Sequence, residues 1–102
     1  MWDAVRPKLL LAENIGQAAQ FVQSGGADAG LIALSLAVAP AMRAAGRYVD
    51  VPRESYPSLT QGGLVLPWAV SRPAAIAVRD ALLDADGRRL LSEYGFDVPV
   101  EK

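Results

Sequence analysis

The segment ENIGQ, from Glu13 to Gln17, contains residue types from which a protein can build an anion site without a charged ligand. It follows an apolar run and precedes an amphipathic stretch, so it is predicted to lead from a strand into a helix. The first N–H groups of a helix lack partners within it, and the helix dipole places about half a positive charge there. Gly16 allows a ligand close to this backbone. The turn can therefore bind an oxyanion through N–H donors.

A purely structural interpretation of the same turn stays open. Every strand–helix unit contains such a turn, and Gly16 can equally be a glycine that packs the helix against its strand. Asn14 is the predicted N-cap residue, with Gln17 three residues later as the second member of a capping box. Glu13 can contribute a charge that favours the helix dipole. The turn alone permits oxyanion binding without establishing it.

The rest of the composition argues against catalysis and against nucleic acid as a partner. The chain has no histidine and no cysteine, which removes the commonest general base, the thiolate nucleophile and the usual metal ligands. Ser35 and Ser55 therefore have no activating base. Arg43, Arg47 and Arg53 are interpreted as solvated surface residues rather than anion ligands. Since 10 basic residues face 11 acidic ones, the chain has no strong field for polyanions. It is predicted not to be an enzyme and to need no cofactor and no protein-bound metal.

The apolar segments are short. No window approaches the 18 or more uninterrupted apolar residues of a membrane span, and the start MWDAVRPKLL lacks the layout of a secretory signal. At 102 residues the chain can bury a core of only modest size. We therefore expect a soluble chain that carries no signal peptide of its own.

Strand and helix patterns alternate along the chain, which predicts an α/β fold with βαβ units and a mostly parallel sheet. Residues 8–34 form the clearest βαβ unit, for which a right-handed crossover is expected. Pro40 either lies in the first turn of its helix or breaks that helix in two. The predicted strands are 8–12, 27–34, 47–51 and 64–70, and the predicted helices are 14–24, 35–46, 72–83 and 84–94.

Three motifs add a resemblance that spans essentially the whole chain. They are ENIGQAAQFVQSGGADAGLIALSLA at 13–37, GRYVDVPRESYPSLTQGGLVL at 46–66 and LLSEYGF at 90–96. Together they resemble the C-terminal half of the periplasmic molybdate-binding proteins of ABC importers. The resemblance implies a partial two-lobed, type II periplasmic-binding-protein fold that is truncated at its N-terminus. Residues 1–60 would form part of the second lobe, and residues 61–102 the returning strand and C-terminal helices of the first.

The resemblance also implies a ligand and site residues. Proteins of this family hold tetrahedral molybdate or tungstate between two lobes by hydroxyls and backbone N–H groups. The family's N–H donor at the helix start falls on Ile15, and Asn14 would shape the turn. A position at which some members present a tyrosine hydroxyl falls on Ala33, which has no hydroxyl, so a backbone group or a water would have to replace that contact.

The function implied by this likeness is that of the substrate-binding component of a molybdate ABC transporter. Its partners would be the oxyanion and the membrane permease, its location periplasmic, and its preference between molybdate and tungstate open. Two alternatives remain: a truncated fragment that binds no ligand and self-associates, or an effector-binding module of a regulator.

Overall fold

Two helices of this chain, at Asn14 and at Asp84, begin at a residue whose side chain caps them, as seen in the computed structural model, which describes residues 1–99. The chain divides into two compact units, one from Met1 to Tyr48 and one that begins at Val49. The predicted lobe assignment, 1–60 and 61–102, stays a prediction, and its last three residues lie outside the described part. No helix within residues 1–99 combines the length and the apolar character that crossing a membrane requires.

The first unit contains four short α-helices. These are α1 (Trp2–Val5), which continues into a 3₁₀ turn over Arg6–Lys8, then α2 (Ile15–Gln23), α3 (Leu34–Ala37) and α4 (Pro40–Ala45). The prediction of a helix over 14–24 is confirmed, with Asn14 as its N-cap. Beyond its end, Gly25 has φ 79°, a backbone conformation that glycine adopts without steric cost.

Pro40 divides the helix predicted over 35–46 into α3 and α4. It occupies the first position of α4, where its missing N–H group costs nothing because that group would have no partner within the helix. The predicted break is therefore confirmed, and Pro40 lies in the first turn of the second of the two helices.

The predicted parallel sheet is not confirmed, because residues 1–99 contain no β-strand. Residues 9–12, 29–33, 47–51 and 64–66 belong to connecting segments, and Pro67–Ala69 forms a 3₁₀ turn instead of the end of a strand. A strand obtains its hydrogen bonds from a neighbouring strand, so an apolar run without such a neighbour remains unpaired backbone. The βαβ prediction therefore holds for its helix and not for its flanking strands.

The chain after α2 lies against that helix. The Ala27 N–H donates to the Phe21 carbonyl at 2.9 Å. A Cβ atom on Gly30 would lie 2.6 Å from Cγ2 of Val22, so a larger residue here would require the Val22 side chain or the segment to shift. This contact fixes the path between α2 and α3.

The second unit is built around a helical hairpin of α5 (Pro73–Leu83) and α6 (Ala85–Glu93), preceded by 3₁₀ turns over Arg53–Ser55 and Pro67–Ala69. Both predicted helices are confirmed. Pro73 lies in the first turn of α5, and Gly95, with φ 79°, follows the last turn of α6, both as predicted. Asp84 is at once the C-cap of α5 and the N-cap of α6, so the connection is a single residue.

Few side chains are buried. Among residues 1–99 the buried hydrophobic residues are three alanines, Ala19, Ala37 and Ala69, and no large side chain is fully enclosed. Each unit therefore leaves most of its large apolar side chains in contact with solvent.

Candidate functional site

The start of α2 is closed by two reciprocal hydrogen bonds. Oδ1 of Asn14 accepts from the Gln17 N–H at 2.9 Å, and Oε1 of Gln17 accepts from the Glu13 N–H at 2.7 Å. This is a variant of the capping box, because the returning bond reaches the residue before the cap rather than the cap itself. The protein's own side chains thus occupy the N–H groups of Glu13 and Gln17.

Three consecutive backbone N–H groups in the same turn remain available to an external acceptor. Within residues 1–99, the backbone N–H groups of Asn14, Ile15 and Gly16 donate no hydrogen bond. All three residues are exposed, Ile15 by 52%. The cap is a neutral amide, so no carboxylate of the first helical turn opposes an anion there. The arrangement can donate hydrogen bonds to an oxyanion from outside the protein.

Gly16 keeps the turn open. A Cβ atom at this position would lie 3.3 Å from Oδ1 of Asn14, which is close to the cap oxygen but not in collision with backbone. The glycine therefore leaves space beside the cap.

Ala33 is the N-cap residue of α3, and no side chain caps that helix. Its methyl group offers no hydrogen-bond donor. Helices α2 and α3 pack against each other within the first unit, so the two predicted site segments, at Asn14–Ile15 and at Ala33, belong to the same unit. The roles of Ile15, Asn14 and Ala33 in ligand binding stay predictions.

The charged side chains of residues 1–99 provide no metal-binding cluster, and one of the arginines is already paired. Arg53, one of the three arginines considered above, forms an ion pair with Asp97 within the second unit. No cluster of three or more acidic side chains within residues 1–99 could hold a metal ion.

The sequence predicted which residues cap the helix, but not which backbone N–H groups would have no hydrogen-bond partner once the cap had formed. That outcome depends on the Gln17 side chain, which bonds to Glu13 rather than to Asn14. It also missed the contact of Gly30 with Val22, for which the glycines of GGADAG were the available signal.

The chain matches a family model described as bacterial extracellular solute-binding protein over residues 1–97. It is 31% identical over 94 residues to the molybdate-binding protein ModA of Azotobacter vinelandii, covering 92% of this chain and 37% of that protein. It is 26% identical over 96 residues to the molybdate-binding protein ModA of Rhodobacter capsulatus, covering 94% of this chain and 37% of that protein. No solved structure matches with comparable significance.

The resemblance to molybdate-binding proteins is thus confirmed, although the chain spans little more than a third of the length of these relatives. The family match, in contrast, extends over nearly every described residue. The chain belongs to the family of bacterial extracellular solute-binding proteins.

Proposed function

We propose that this chain supplies part of the receptor of an ABC importer, which binds molybdate or tungstate outside the cytoplasm and delivers it to the membrane permease. The names of two relatives support the ligand class, and the family supports a binding role rather than catalysis. The fold that goes with this function is the two-lobed type II arrangement, with residues 1–60 in the second lobe and residues 61–102 in the first.

The observation that carries the proposal is the set of unpaired amides at Asn14, Ile15 and Gly16. Capping consumes the neighbouring donors of Glu13 and Gln17 and leaves these three without a partner in residues 1–99. Free N–H groups beside the positive end of a helix dipole match the oxygens of a tetrahedral oxyanion. The chain therefore needs no cationic side chain for its share of the site.

Ala33 contributes through its position rather than through its side chain. As the residue that begins α3, it lies next to the unpaired N–H groups at the start of that helix, those of Leu34 and Ser35, which donate no hydrogen bond within residues 1–99. In the proposed site, one of these groups or a water takes the place of a hydroxyl. The remaining donors come from parts of the receptor beyond this chain.

The isolated chain should bind weakly, because it supplies only some of the donors and its turn is exposed. We expect a dissociation constant in about the millimolar range, since each neutral hydrogen bond contributes only about 1 kcal/mol in contact with water. The test is a titration of the ¹⁵N-labelled chain with sodium molybdate, followed by amide chemical shifts. The amides of Ile15 and Gly16 should shift progressively, and sodium chloride of equal ionic strength should not shift them.

Two variants make the assignment specific. Ile15→Pro removes one donor while keeping the helix, because proline is well accepted at the first helical position, and it should weaken the response at Gly16. Ile15→Ala removes the side chain but keeps the N–H group, and should respond like the parent. Molybdate shifts confined to other residues, or equal responses of the two variants, would refute the site.

A further inference from the structure

We draw no further inference here: the strongest candidate, the open apolar groove between α5 and α6 in the second unit, carries nothing because nothing in the structure shows what covers it.

Discussion

Helices α2 and α6 begin and end in the same way, although they belong to different units. In each, a side-chain oxygen of the N-cap accepts from the N–H three residues later, from Gln17 to Asn14 at 2.9 Å and from Gly87 to Asp84 at 2.8 Å. Beyond each helix a glycine adopts φ 79°. The two helix starts therefore share the same capping bond, although φ of the cap residue differs, −153° at Asn14 and −72° at Asp84.

Their electrostatics differ. The cap of α2 is a neutral amide and its first turn has no acidic residue, whereas α6 has a carboxylate at the cap, Asp84, and another in the first turn, Asp86. These carboxylates already complement the positive end of the α6 dipole and would repel an external anion. Of the two helix starts, the one at Asn14 has the neutral capping side chain, and this difference favours the proposed oxyanion site there over the start of α6.

The largest expected effect is a difference in stability between alanine substitutions at Gly87 and at Gly16, the glycines of the two helix starts. Gly87→Ala would press a methyl group against the Ala81 carbonyl, so the hairpin must open, at a cost of about 2–3 kcal/mol in the free energy of unfolding. Gly16→Ala meets only the Asn14 side chain, at 3.3 Å; moving that side chain opposes the gain from alanine's higher helix propensity, so stability should change by less than about 1 kcal/mol.

Thermal and urea unfolding followed by circular dichroism measure both substitutions. Equal free energies of unfolding of the two variants would show that the close approach of α6 to α5 does not contribute to stability.

The next effect separates helix stability from anion binding. Asn14→Asp keeps an excellent N-cap and adds a charge favourable to the dipole, so the helix should be as stable or more stable by about 0.3–1 kcal/mol. The same charge next to the free amides should weaken the molybdate response of Ile15 and Gly16 by at least about tenfold.

Amide shifts and unfolding curves on the same sample test this pair of effects. Unchanged molybdate binding in Asn14→Asp would contradict the electrostatic distinction between α2 and α6. Asp84→Asn, which makes the opposite change at α6, is the control and should leave the response of Ile15 unchanged.

The smallest effect concerns Glu13, whose carboxylate belongs to the residue just before the cap. Glu13→Gln removes this exposed charge while its backbone N–H still donates to Gln17. Molybdate should bind about twofold more tightly at low ionic strength, because an exposed charge at such a distance is screened by water and salt. The titration repeated at high salt should erase the difference, and a gain that persists there would point to a cause other than charge.

Much of the helical structure could be predicted from residues close together in the chain. Asn14 with Gln17, Pro40, Pro73, Asp84 and Gly95 each mark a helix boundary that the structure contains. Helix hydrogen bonds join residues four positions apart, and capping bonds span three or four, so the signals lie within the sequence that they control.

The candidate site was predictable as a turn but not as a set of free donors. Both members of the capping box could be named from the sequence, yet the partner that Gln17 chooses decides which amides stay available. Side-chain hydrogen bonds of similar energy compete at such a turn, and only the folded geometry selects among them.

The sequence by itself determined the boundaries of α2, α5 and α6, the absence of histidine and cysteine chemistry, and the neutral cap at Asn14. Tertiary structure decided the rest: which apolar runs find partners, how Gly30 meets Val22, and how Gly87 brings α6 against α5. The runs at 8–12 and 64–70 were predicted as strands from composition, but a strand exists only where another segment supplies its hydrogen bonds, and parallel strands pair with segments that are distant in the chain. Contacts between residues far apart in the chain depend on packing, which no local pattern of residues encodes.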